Sequence, residues 1–122
     1  MAYDRNNVFA RILRGELPCD KLYEDEHVLA FRDINPQAPL HILVIPKGEY
    51  VSLDDFSQKA SAAEMAALVR AFGHIARAEG VAEAGWRVIA NNGPAGRQEV
   101  QHLHLHILGG RDLGPMLRRP QG

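Results

Sequence analysis

Val100-Gln-His-Leu-His-Leu-His-Ile-Leu108 puts three histidines, His102, His104 and His106, at alternate positions. In a β-strand alternate side chains share a face and stand ~6.6–6.8 Å apart along it. The pattern predicts one strand over 100–108, with three imidazoles in a row and Leu103, Leu105 and Ile107 on the opposite, core-facing side. Gly109-Gly110 ends it. Burying three imidazoles without partners costs desolvation, so the row reads as a working face rather than as packing.

Working outward, His41-Ile-Leu-Val-Ile-Pro-Lys47 is a nearly continuous apolar run of strand length, suited to a central strand covered on both faces. Lys21–Glu24 and Val28–Asp33 read as two short strands around an Asp25-Glu26 turn, and Trp86–Asn91 as another strand. Asn35-Pro-Gln-Ala-Pro39 is a rigid loop, and Asn92–Arg97 a second, glycine-rich one. Asn6 or Asn7 can cap a short helix carrying Phe9, Ile12 and Leu13 on one face, with Gly15 at its stop. Between about Ser57 and Glu79, Met65, Leu68, Val69, Phe72, Ile75 and Ala76 recur at helical spacing and predict one long helix. Seven other positions there are alanine, which suits helix propensity and equally a flat subunit contact. The fold class is α+β: a largely antiparallel sheet with one long and one short helix packed on it.

Composition narrows the function. A chain of 122 residues, 46% hydrophobic and 24% charged, suits one independent core, a single domain over 1–122 with a weakly ordered tail from about Arg111. Lys+Arg 14 against Asp+Glu 15 leaves a net charge of -1 and no basic stripe, so nucleic acid is not an expected partner. The longest basic cluster, Arg118-Arg119, reads as a solvated end. No run approaches the 18 apolar residues of a membrane span, and the charged N-terminus does not resemble a signal peptide. The single Cys19 forms no intrachain disulfide and reads as a surface or packing residue of a reducing compartment. A cytoplasmic location is expected.

Two chemistries suit the histidine row. One is a metal site, in which two neighbouring histidines and His41 could ligate an ion; the sequence supplies no obvious carboxylate or cysteine spacing to complete it. The other is covalent phosphorus chemistry. Neutral imidazole is a good nucleophile near pH 7, and a main-chain carbonyl that takes one ring N–H leaves the other nitrogen's lone pair for the substrate. The flanking rings would then hold phosphate oxygens and move protons. The second reading needs no metal and no cofactor.

His102-Leu-His-Leu-His-Ile-Leu-Gly-Gly110 resembles the motif of the histidine-triad (HIT) family of nucleotide hydrolases and transferases, and its Gly-Gly ending resembles the HinT-like branch of purine nucleoside phosphoramidases. The likeness extends over Val8–Pro18, Ala30–Pro39, His41–Pro46, Asn91, Gln98–Val100 and Gly110–Leu117. It implies cleavage of nucleoside 5′-phosphoramidates to nucleoside monophosphate and amine. His104 would be the nucleophile. His106 and Asn91 would hold phosphate oxygens, while His102 and His41 would fix the triad and relay protons. Gln98 and the amides of Glu99 and Val100 would lie along the phosphate, Asp33 would accept from the ribose hydroxyls, and Val8, Phe9, Phe31 and Ile34 would form the purine slot. The resemblance also implies a two-fold homodimer with a joined sheet.

Each assignment has a plainer rival: Phe9 and Phe31 as core, Asp33 as a loop cap, Asn91 as a turn former. His27 and His74 match no motif and are expected at the surface. Two positions depart from the branch. Arg97 stands where glycine is common, and Glu99 where animal members carry a phosphate-binding serine. A carboxylate facing phosphate is repelled, so Glu99 is expected to turn away and offer its N–H. Rival functions are dinucleoside polyphosphate hydrolysis or nucleotidyl transfer on the same scaffold and, from another class, a nucleotide-binding regulatory module.

Overall fold

Antiparallel pairing joins five strands into one sheet of order β1-β2-β3-β5-β4. The strands are β1 (Lys21–Glu24), β2 (Val28–Arg32), β3 (Leu40–Pro46), β4 (Trp86–Ala90) and β5 (Leu105–Gly109). The helices are α1 (Val8–Leu13), α2 (Leu53–Lys59) and α3 (Ala62–Ala78). The computed structural model describes residues 2–118.

β3 lies at the centre of the sheet and is buried at every position. Its alternation sorts the molecule into two layers. Ile42 and Val44, with Val28 and Ala30 of β2 and Leu105 and Ile107 of β5, pack against Leu68, Ala71, Ile75 and Ala76 of α3. Leu43 and Ile45 face the other way and pack with Leu29, Phe31 and Phe9 beneath α1. His41 shares that second face, and the pairing of Leu43 with His106 puts His106 there too. The continuous apolar run at 41–47 is thus covered on both sides, as its composition requires.

The local signals hold at several joints. Asn7 caps α1 by accepting from the Ala10 N–H, and the Asp25 carboxylate accepts from the His27 and Val28 N–H groups to turn β1 into β2. Gly110 follows β5 at φ 90°, where a Cβ would meet the Pro39 side chain at 2.9 Å, so both backbone conformation and space call for glycine.

Two expectations are corrected. The long helix expected from Ser57 to Glu79 is two helices. Ala60 adopts extended backbone (ψ 151°), and Ser61 opens α3 with a capping box in which its side chain accepts from Glu64 N–H and the Glu64 carboxylate accepts from Ser61 N–H. Among the described residues there are therefore three helices rather than one long and one short. Within α3, Val69 falls off the apolar stripe and is 66% exposed, whereas the alanine at 71 is fully buried. The histidine strand is also shorter than expected. Its ladders to β3 and β4 both stop at Leu105. Before that point Leu103 donates to the Tyr50 carbonyl at 2.8 Å, which draws the chain away from the sheet. Leu103, Leu105 and Ile107 are all buried nonetheless.

In the segment from Arg111, Arg87 donates to the Gly114 and Pro115 carbonyls, and Arg111 to that of Gln37. Arg119 and the rest of the tail lie outside the described residues. His74 is exposed with its ring 5.1 Å from that of Tyr23, while His27 is half-buried rather than at the surface. Among the described residues no helix is long and apolar enough to cross a membrane.

Candidate functional site

His102, His104 and His106 do not present three equivalent rings. His104 places Nδ1 2.8 Å from the main-chain oxygen of His102. A carbonyl only accepts, so Nδ1 carries the proton and the Nε2 lone pair is left for an electrophile. His102 is fully buried and turned elsewhere: its Nε2–H donates to the Pro46 carbonyl at 2.9 Å, and its Nδ1 accepts from the Tyr3 hydroxyl. Both of its nitrogens are occupied, so it reaches His104 through its backbone. Neither ring nitrogen of His102 is directed at the neighbouring imidazoles.

The third ring is set by a hydrogen-bond chain from β3. Gln37 N–H donates to His41 Nδ1 at 3.0 Å, which puts the proton of neutral His41 on Nε2. That Nε2–H donates to His106 Nδ1 at 2.9 Å. His106 is thereby held with its proton on Nε2, as a donor. Burial is the main force keeping these rings neutral: it pushes His106 and His102 down to about 4, and lowers His41 against the opposing pull of the Asp33 carboxylate.

Next to this array lies an apolar cleft of about 330 Å³. Val8, Phe9, Phe31, Asp33 and Ile34, all singled out from sequence, line it. Phe9 and Phe31 are at once buried core and cleft wall, and the Phe9 ring lies 4.9 Å from that of His104. Ile34 is 91% exposed and forms an open lip. Ile12, Leu17, Pro18, Cys19, Arg32 and Leu43 complete the wall and were not singled out for it. Leu43 could have been found from its place two residues beyond His41 on the same strand face. Asp33 does what its plainer reading held, accepting from Asn35 N–H at 2.8 Å, while its second oxygen lies 3.4 Å from His41 Nε2.

The model of the HIT domain matches residues 14–113. The chain belongs to the HIT family. It is 62% identical over 117 residues to an uncharacterized 13.2 kDa HIT-like protein of Azospirillum brasilense, covering 96% of each chain. It is 47% identical over 110 residues to the purine nucleoside phosphoramidase of Escherichia coli K12, covering 90% of this chain and 92% of that one. A HIT family hydrolase from Clostridium thermocellum superposes with a TM-score of 0.86 at 42% identity, over 94% of this chain and 99% of that chain.

In this HIT domain the loop before the triad is organised from within. Gln98 donates to the Val51 and Val100 carbonyls at 2.6 and 3.0 Å and accepts from Gly93 N–H at 3.1 Å. Its side-chain amide therefore holds the loop together. Asn91 follows the last β4 pair, Ala90 with Leu105, and so stands on the His104 side of the strand end. Glu99 is exposed and Val100 packs beneath α1. Arg97 is exposed at φ 61°, the one positive-φ residue other than glycine among those described. The neighbouring Gly96 packs so closely that a Cβ there would meet Asn92 O at 2.6 Å.

The HIT fold also supplies the carboxylate that the sequence did not reveal for a metal. Ligand atoms of Asp33, His41 and His106 all lie within 4.8 Å of one another, a set that could hold a divalent ion. An ion there would displace the proton shared by His41 and His106, so the hydrogen-bond chain and metal binding exclude each other.

Proposed function

We propose that this HIT protein hydrolyses purine nucleoside 5′-phosphoramidates to nucleoside monophosphate and amine through a nucleotidyl-histidine on His104. The observation that carries the reading is the bond from His104 Nδ1–H to the His102 carbonyl, which holds the Nε2 lone pair for attack. The 47% identity to a purine nucleoside phosphoramidase supports the substrate class.

The base enters the cleft between Phe9, Phe31, Val8 and Ile34, where flat apolar surface is already desolvated. Asp33, acceptor-only when ionised, takes the ribose hydroxyls. His104 Nε2 bonds to the α-phosphorus as the P–N bond breaks. His106 Nε2–H, with Asn91 and the Glu99 and Val100 amides, binds the phosphate oxygens as charge develops. Water then attacks the adduct. It gives phosphorus an oxygen and one proton, returns its other proton to solvent to replace the one the departing nitrogen took up as the P–N bond broke, and restores neutral His104. His102 and His41 position the two acting rings. No step calls on a metal or a cofactor.

The reading includes a homodimer, supported by β4, whose outer edge is left unpaired at the end of the sheet. It also includes a cytoplasmic setting, supported by the free Cys19 thiol.

Turnover of adenosine 5′-phosphoramidate by purified protein, with and without chelator and beside His104→Ala, tests the function. Chelator-independent turnover that the variant loses is expected. Chelator-sensitive turnover, or none in the wild type, overturns it. Light scattering at low concentration tests the dimer.

A further inference from the structure

We propose that Tyr3 is a positioning residue for the His104 nucleophile, acting through the His102 side chain; the inference rests on reading His104 as the nucleophile. The carbonyl that orients His104 belongs to a residue three positions before the first ladder pair of β5, so sheet hydrogen bonds do not fix it. Leu103 N–H, on the same peptide unit as that carbonyl, bonds to Tyr50 O, and residue 102 is held further by its own ring, pinned from two sides. Pro46 O accepts from Nε2–H at 2.9 Å, and a neutral imidazole donating there keeps Nδ1 as an acceptor.

The donor to that acceptor is the Tyr3 hydroxyl at 2.5 Å, 99 residues away in sequence. The phenol meets the imidazole edge-on with ring centroids 5.5 Å apart, and burial raises its pKa, so the O–H is retained as the donor. Deprive the enclosed ring of Tyr3 and a buried nitrogen loses its partner, which frees residue 102 to shift and with it the carbonyl on His104. The segment carrying Tyr3 leads directly into α1, whose Phe9 touches both the cleft and His104.

Tyr3→Phe keeps the ring packing and deletes one donor. In the full chain, kcat on adenosine 5′-phosphoramidate is expected to fall roughly tenfold while KM and AMP affinity stay within about twofold. Imidazole ¹⁵N NMR supplies a readout that packing alone would not move. In the wild type His102 is expected to carry its proton on Nε2 and His104 on Nδ1, and in Tyr3→Phe the His104 tautomers are expected to mix. Unchanged kcat and an unchanged His104 tautomer in the folded variant would overturn the proposal. A wild-type His102 protonated on Nδ1 would do the same, and decides the matter if the variant does not fold. If the wild type fails to turn over the substrate, the phosphoramidase reading falls while the NMR arm still decides the Tyr3 link.

Discussion

His41 Nε2 lies 2.9 Å from His106 Nδ1, joining two strands across 65 positions of sequence. One proton bridges the two nitrogens, and the Gln37 N–H on the far side of His41 decides which ring supplies it. The direction of this chain makes His106 Nε2 a donor rather than an acceptor.

His41→Ala removes that direction. His106 keeps its place on β5 but loses the donor to its Nδ1, so its tautomer is no longer set. Steady-state kinetics are expected to show kcat reduced about 10- to 100-fold, short of the ~10²–10³ of a donor removed outright because the His106 ring remains, with KM little changed. Wild-type kcat in the variant would show that the chain does not orient His106.

Stability should depend on pH in a defined window. The unfolded chain takes up protons on its histidines near pH 6.5, whereas burial holds folded His102 and His106 neutral down to about pH 4 and lowers His41 as well. Unfolded protein thus binds more protons between those limits. The contribution of the neutral rings is full above pH 6.5, declines as pH falls and levels off below about 4. Thermal melts should show Tm dropping across this interval, less steeply in His106→Asn. A flat Tm from pH 7 to 4.5 would contradict the buried neutral rings.

Asp33→Asn tests the ribose contact. The amide oxygen can still accept from Asn35 N–H, so the loop should survive. Wild-type protein should prefer the ribonucleoside substrate over its 2′-deoxy analogue in kcat/KM by about tenfold, and the variant should largely lose that preference. Equal discrimination by both proteins would move the sugar away from Asp33.

Arg97→Gly relieves a left-handed backbone position that costs a residue with a side chain ~1–2 kcal/mol, less the extra chain entropy of glycine. A gain of up to about 1 kcal/mol in urea unfolding is expected, together with a changed KM for the phosphoramidate. An unchanged KM would mean that the guanidinium serves only solvent.

Much of this was legible in the sequence because strand alternation and apolar runs report burial directly. The doubly covered 41–47 run and the Leu103-Leu105-Ile107 side follow from that logic, whereas the Phe9–Phe31 slot came from the resemblance to the HIT motif. What escaped was one local signal and several hydrogen bonds between distant segments. The Ser61 capping box, a Ser-x-x-Glu pattern within one helical turn, breaks the expected helix. Leu103 N–H reaching Tyr50 O ends the expected strand early through a partner the fold alone selects. The same holds for Tyr3 on His102, for the inward-turned Gln98 amide and for Asp33 beside His41 and His106, where spacing gave no sign of a carboxylate.

The central claim is that phosphorus passes through the Nε2 of His104. Rapid quenching during turnover of adenosine 5′-phosphoramidate, followed by intact mass and peptide mapping, reads this directly. The account predicts a transient adenylyl adduct on His104 that is absent from His104→Ala. Product accumulating with no adduct on that ring, or with the adduct on another residue, would contradict it.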